Sequence, residues 1–334
     1  MDKKRIESLD ALRGFAAIAF VLRHYTTIFN FKFNTPLNFS VEFKYGYLGV
    51  ELFFLISGFV IFMSIEQIQS IKEFIIKRFV RLYPTYWIPL FLTSLVILIS
   101  GVSKLAFSKL DFLLNSTVIQ DLFIPILHNK HIDGVYWSLA AELLFYGFIL
   151  CLYQFKLLKH IQIIGFLWLL SSIICIPNDY SVFMIGIILN MKWSPLFFGG
   201  MMFYTIWKNE AERKKWTSHI LIFFSLISYY ILTLTKATDP LKSSIEECIV
   251  VTGFFFTFYL LSFEKITFLS KSKILLFLGK ISYPLYLIHQ NIGYIILLIL
   301  VQQFNLINQV IIIVPILISI GLTMLIVYKF EMSI

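Results

Sequence analysis

Charge is what this chain has least of. Its 334 residues include 28 Lys or Arg and 19 Asp or Glu, 14% of the whole, where a soluble domain carries about a quarter. That shortage excludes an ordinary water-soluble fold. Cysteine is scarce too: Cys151, Cys175 and Cys248 stand singly in apolar runs. With no C-x-x-C pair and no Cys/His cluster they read as buried free thiols, so neither a disulfide framework nor a zinc site is indicated and no metal is expected. The opening "MDKKR" has the look of a secretion signal. Arg13 and His24 interrupt the apolar stretch behind it, however, and no A-x-A site follows, so no cleavable signal is expected. Ser57 lacks the G-x-S-x-G surroundings of a hydrolase nucleophile, and Ser57-Gly58 reads as close helix packing.

What is present is apolar. Hydrophobic residues make up 59% of the chain, with 36 Phe and a mean hydropathy of +0.83. The expectation is an all-α polytopic integral membrane protein. A net charge of +9 could point to nucleic acid, but in so apolar a chain it marks cytoplasmic loops and anionic headgroups of the bilayer, and no nucleic-acid partner is expected.

A spanning helix needs about 20 mostly apolar residues. Windows of that size give about ten spans, at 9–30, 47–65, 82–101, 135–154, 161–177, 193–207, 216–235, 245–263, 283–301 and 309–328, with 181–190 as a short interfacial or re-entrant piece. Lys3, Lys4, Arg5, Lys72, Lys77, Arg78, Arg81, Arg213, Lys214 and Lys215 crowd one side, against a sparser set that includes Lys32, Lys104, Lys130, Lys236 and Lys242. By the positive-inside rule both termini are expected in the cytoplasm. The whole of 1–334 reads as one helical domain without a soluble appendage.

Ionisable groups inside spans cost at least about 2.5–3.5 kcal/mol each, so they mark function. Here they are Asp10, Arg13, Arg23, His24, Glu51, Glu142 and His289, with Arg78 and Arg81 at the foot of the third span. Eleven residues separate Arg13 from His24, within about 20° of three full helical turns, so the two share a face about 16 Å apart along the axis. Asp10, three residues before Arg13, joins that face within pairing distance, while Arg23 points elsewhere. An imidazole deep in a bilayer is a candidate general base. Glu142 needs a His, Arg or hydroxyl partner across the bundle. Arg78 and Arg81, in the loop before Pro84, project together and suit the phosphate of a cytosolic ligand.

Five segments carry a resemblance: Arg13-x10-His24 within "LDALRGFAAIAFVLRHY", "GYLGVELFFLISGFVI" around Glu51, "RFVR" at 78–81, "YWSLAAELLFYG" at 136–147 and "ISYPLYLIHQ" at 281–290. In this order the chain resembles the acyltransferase 3 family of integral-membrane O-acyltransferases, over about residues 6–328. Ala140-Ala141 depart from the family's usual residues, so only Glu142 carries over there. The resemblance implies transfer of an acyl group, most often acetyl, from cytosolic acetyl-CoA to a hydroxyl of an envelope glycan or glycolipid, in the inner membrane of a bacterium. It implies His24 as general base or acyl carrier, with Glu142, His289 and Asp10 in the catalytic set, and His289 as a second candidate base. Arg13, Arg78 and Arg81 would hold the CoA phosphate, and Glu51, Trp137, Ser138 and Tyr283 would line the substrate site. Acceptor specificity is expected in 31–46 and 102–134, the latter with His128, His131 and Asp133. The alternative is a transporter or flippase using the buried charges as a path, against which no paired broken helices are found.

Overall fold

The computed structural model describes residues 6–35, 37, 39, 41–175, 185–235, 244–266 and 268–331. Lys3, Lys4, Arg5, Lys236, Lys242 and residues 181–184 of the expected interfacial piece lie outside them. The described residues are helical and irregular, with no strand. In chain order the helices are α1 (Glu7–Arg23), α2 (Phe29–Phe33), α3 (Gly49–Ile65), α4 (Ile71–Ser100), α5 (Lys109–Ser116), α6 (Ile124–Leu127), α7 (Trp137–Gln154), α8 (Ile161–Ile174), α9 (Ser194–Lys208), α10 (Glu210–Lys214), α11 (Trp216–Thr235), α12 (Ser244–Ser262), α13 (Lys273–Gln302) and α14 (Ile313–Ile326).

Among the described residues seven helical stretches are long and apolar enough to cross a membrane: Lys44–Ile65, Ile71–Ser100, Trp137–Gln154, Trp216–Thr235, Ser244–Ser262, Lys273–Gln302 and Gln309–Lys329. Each overlaps an expected span. The expected spans at 161–177 and 193–207 correspond to the shorter helices α8 and α9. The first, 9–30, lies in a continuous helical run from α1 through a π-helical turn, His24–Ile28, into α2. Its charged residues separate it from the seven.

Two starts differ from expectation. The third and ninth spans are expected to begin at 82 and 283. Instead α4 and α13 each run 30 residues and carry Pro84, Pro89 and Pro284 in their interiors. Membrane helices tolerate such prolines because neighbouring groups satisfy the freed carbonyls. The arginines therefore project from a helix and not from a loop. Arg78 is buried and Arg81 exposed, since one side of α4 is packed there and the other is not.

The chain divides into two compact units. One comprises Met1–Gly49, Ile75–Ala140 and Ser272–Ile334, the other Val50–Phe74 and Ala141–Lys271. In the first, α1 packs along α13. They meet at two glycines: a Cβ on Gly14 would fall 2.3 Å from the carbonyl oxygen of Leu275, and one on Gly279 would fall 2.0 Å from that of Asp10. Backbone touches backbone there, as small residues permit between membrane helices. On its other side α13 packs on α14. Ile288, Ile292 and Ile326 form an apolar centre, flanked by Ile88, Leu92, Val96, Ile296 and Leu322.

The connection after α4 belongs to this unit and is ordered by its own polar groups. Ser108 and Asp111 close a capping box on α5, and the second Asp111 oxygen accepts the Lys130 N–H at 2.6 Å. Burial alone would raise the pKa of Asp111, but these N–H and hydroxyl donors outweigh it and hold the carboxyl below its ordinary value. Helix ends leave carbonyls without partners, and α4 supplies some. The Tyr86 hydroxyl donates to Asn115 O, the Trp87 indole to Ser116 O and the Tyr83 hydroxyl to Thr117 O.

The second unit is packed by aromatic rings. Phe145 stacks on Phe197 with centroids 4.1 Å apart, Phe54 meets Phe197 at 4.9 Å, and Phe203 meets Phe258 at 5.5 Å. Many of the chain's phenylalanines serve as interior packing, where each ring buries a large apolar area.

Candidate active site

Close approach at Gly14 and Gly279 lets α1 and α13 run side by side in the same direction, and two histidines meet further along the seam. Nε2 of His289 lies 2.9 Å from Nδ1 of His24. Both side chains are buried. The Phe20 ring stands edge-on to both, 4.6 Å from His24 and 5.7 Å from His289. The phase that brings His24 here is the eleven-residue step from Arg13. At the cytoplasmic end expected for that face, Arg13 Nη1 pairs with the Asp10 carboxylate at 3.3 Å, as their spacing predicts. The helix changes period at His24 itself: the N–H of Phe29 bonds back to His24 O in an i to i+5 turn. Such turns are rare inside helices and occur disproportionately at functional sites.

Hydrogen bonding assigns the protons on the two rings. Nδ1 of His289 faces two backbone carbonyls, Leu285 O at 3.1 Å and Tyr286 O at 2.9 Å. Carbonyls only accept, so Nδ1 of His289 carries hydrogen and its Nε2 offers a lone pair. Nδ1 of His24 must then donate towards that lone pair, with Phe20 O, at 3.2 Å, as a second acceptor. The remaining nitrogen, Nε2 of His24, bears the free lone pair of a neutral imidazole. His24 has the form of a base, and His289 the form of the group that fixes its tautomer.

Around His289, residues 132–138 are tied to α13. Asn291 donates its side-chain amide to Ile132 O at 2.6 Å and its backbone N–H to Asp133 at 3.0 Å. The Tyr286 hydroxyl donates to Val135 O at 3.0 Å and lies 2.8 Å from the Ser138 hydroxyl. Tyr25, next to His24, donates to the backbone carbonyl of His289 at 2.7 Å. Asp133 is completely buried, and burial pushes its carboxyl up to about 6 against the pull of the Asn291 and Val135 N–H groups. None of Tyr25, Tyr286 and Asn291 was singled out from sequence. Tyr25 and Tyr286 do stand in the segments that carry the resemblance, and Asn291 lies two residues after His289.

The other expected residues are placed as follows. Ser138 belongs to the tie just described, and Trp137 opens α7 beside it, half-buried. Tyr283 uses its hydroxyl on Leu82 O at 3.1 Å. Arg23 turns away from the stripe, as expected, and donates to Lys44 O with its guanidinium 4.5 Å over the Tyr47 ring. In the second unit the half-buried Glu142 receives two hydroxyls, from Tyr146 one turn along its own helix at 2.5 Å and from Ser57 on α3 at 3.0 Å. Glu51 is buried in the same unit. Of the two other histidines in the specificity segment, His131 sits 3.2 Å from Asp121 and His128 ends α6 in a left-handed turn. Among the described residues no group of three His, Cys, Asp or Glu could hold a metal.

A family model described as an acyltransferase domain matches residues 6–328. The chain belongs to the acyltransferase 3 family. It is similar to ORF330 of Acidianus two-tailed virus, named as a candidate acetyltransferase, with 25% identity over 86% of this chain and 84% of that one. It is also similar to the peptidoglycan O-acetyltransferase OatA of Listeria monocytogenes, 36% identical over 26% of this chain and 13% of that one. A third relative is the acyltransferase MdmB of Streptomyces mycarofaciens, 25% identical over 54% of this chain and 48% of that one. No solved structure matches. The membership makes this polytopic helical chain an acyltransferase, and the buried histidine pair is the natural place to look for its chemistry.

Proposed function

We propose that the protein transfers an acyl group, most simply acetyl, from cytosolic acyl-CoA to a hydroxyl of a glycan or glycolipid, with His24 as general base. The observation that carries this reading is the hydrogen-bond order of the pair: His289 engages Nδ1 of His24 and leaves Nε2 with its lone pair. Nε2 takes the proton of the acceptor hydroxyl as its oxygen attacks the thioester carbonyl carbon. The tetrahedral species then collapses, the carbon–sulfur bond breaks, and the CoA thiolate leaves with the proton from His24. His289 is a positioning residue here, and the Phe20 ring beside both imidazoles keeps water from the base. The similarity to OatA of Listeria monocytogenes, named as a peptidoglycan O-acetyltransferase, supports an envelope sugar as acceptor.

Arg13, paired with Asp10, together with Arg78 and Arg81, is the proposed grip on the CoA phosphates. Glu142, held by two hydroxyls, is proposed as a further acceptor-orienting group, and Glu51 and Trp137 as substrate contacts. The inner membrane, cytoplasmic termini and ten spans belong to the same proposal. The test is His24→Ala in purified protein supplied with acetyl-CoA and an envelope glycan fraction. Release of CoA should fall to background while the protein still inserts and purifies as the parent does. An active His24→Ala variant overturns the assignment.

A further inference from the structure

Beyond the histidines, the same unit carries two ammonium groups that form no ion pair among the described residues. Lys32 on α2 lies eight residues past His24, about 12 Å further along the helix. Its Nζ stands 5.4 Å from the ring centre of Tyr294 and 5.9 Å from that of Phe33. Lys104, from the short turn Ser103–Leu105, brings its Nζ within 5.7 Å of the same Phe33 ring and donates to Lys32 O at 2.9 Å. Two like charges thus stand beside one aromatic ring. Among the described residues neither has a carboxylate within 4.0 Å. The acid within electrostatic range of Lys32 is Asp133, whose two oxygens already accept the N–H groups of Val135 and Asn291.

A second observation points the same way. Tyr294 lies between the base and these cations: its ring is 6.1 Å from that of His24, and it packs on Phe29 and Phe33. Its hydroxyl is buried and makes no hydrogen bond among the described residues. A buried hydroxyl without a partner costs about 1–3 kcal/mol, and a half-buried lysine without an anion adds a desolvation cost of its own. An acceptor that supplied a hydroxyl to Tyr294 and an anion to Lys32 would relieve both.

Resting on the acyltransferase reading, we propose that the acceptor is an acidic glycan, bearing a carboxylate or phosphate roughly one ring from the hydroxyl that is acylated. Lys32 and Lys104 hold that anion, and Tyr294 bridges to the ring presented to Nε2 of His24. A neutral sugar uses neither ammonium. The spacing along the helix sets the separation, since an anion on the reacting carbon's own substituent would not reach Lys32.

The test compares cellobiose with cellobiouronic acid, which differ by one carboxylate, as binding probes for the protein in nanodiscs of phosphatidylcholine alone. Dissociation constants come from saturation-transfer NMR titrations. The acidic disaccharide should bind roughly tenfold tighter or more, as a charge-assisted contact provides. Lys32→Gln should bring the ratio close to one with the cellobiose constant unchanged, which shows that the variant is folded, and Lys32→Arg should keep the preference. Equal constants in the parent protein overturn the proposal, as does a preference that survives Lys32→Gln combined with Lys104→Gln. So does a preference that vanishes once phosphatidylglycerol is added, because the two cations would then be a lipid-headgroup site. CoA release from acetyl-CoA in the same samples keeps the two readings apart. Its absence with the acid preference intact counts against the transferase reading alone.

Discussion

Nε2 of His289 accepts from Nδ1 of His24 across 2.9 Å, joining two helices that lie 265 residues apart in the chain. The direction of that bond is fixed from behind, because Nδ1 of His289 faces only carbonyls. If His24 is the base, as proposed, removing the group that holds its tautomer should cost rate, not binding. His289→Ala is expected to lower kcat about ten- to hundredfold with little change in KM, matching about 1.5–3 kcal/mol for a lost bond to a charged partner. His289→Gln, whose amide oxygen can still accept, should recover part of the loss. Steady-state kinetics on both variants checks this, and an unchanged kcat for His289→Ala would remove its positioning role.

Gly279 touches the backbone of α1 with no room for a methyl group. Gly279→Ala must push the two helices apart, at about 1–3 kcal/mol for an overpacked contact. Thermal unfolding in detergent should show a lower midpoint, and acyl transfer should fall as well because the histidines separate.

Asp133 has its carboxyl pushed up from an ordinary value of 3.8 to about 6 by burial. A raised folded-state value means that the group favours the fold fully below about pH 4 and loses that contribution as pH rises through about 6. The midpoint of the parent should therefore rise relative to Asp133→Asn between pH 7 and pH 5. A difference between the two proteins that stays flat across that window would contradict the assignment.

Asp111 behaves in the opposite sense. Although burial alone would raise it, its hydrogen bonds hold its carboxyl below 3.8, so its contribution is present at neutral pH and is lost as pH falls through the lowered folded-state value. Asp111→Asn should cost about 1–2 kcal/mol at pH 7, as the loss of a helix cap does. That cost should shrink in acid, and the midpoints of the two proteins should converge there.

Much of this protein was legible along the chain because the signals are local. Apolar windows of bilayer length and the scarcity of charge determined the helical membrane class. The angle between residues eleven apart placed Arg13 and His24 on one face. Three and four positions decided the Asp10–Arg13 pair. The starts expected at 82 and 283 lie instead at Ile71 and Lys273, in long helices that carry Pro84, Pro89 and Pro284, because in a bilayer a helix interrupted by proline is still the best-satisfied backbone.

What only the tertiary structure decided is which groups share a pocket of space and who donates to whom. No periodicity on α1 or α13 announces that His24 meets His289, since the meeting depends on Gly14 and Gly279 letting two distant helices touch. The sequence left both histidines as candidate bases, and only the structure shows the two carbonyls facing Nδ1 of His289. The arginines at 78 and 81 looked equivalent at three-residue spacing, but packing on one side of α4 buries one and exposes the other. Composition and period act within a few turns of helix, whereas proton order and burial arise only where separate helices come together.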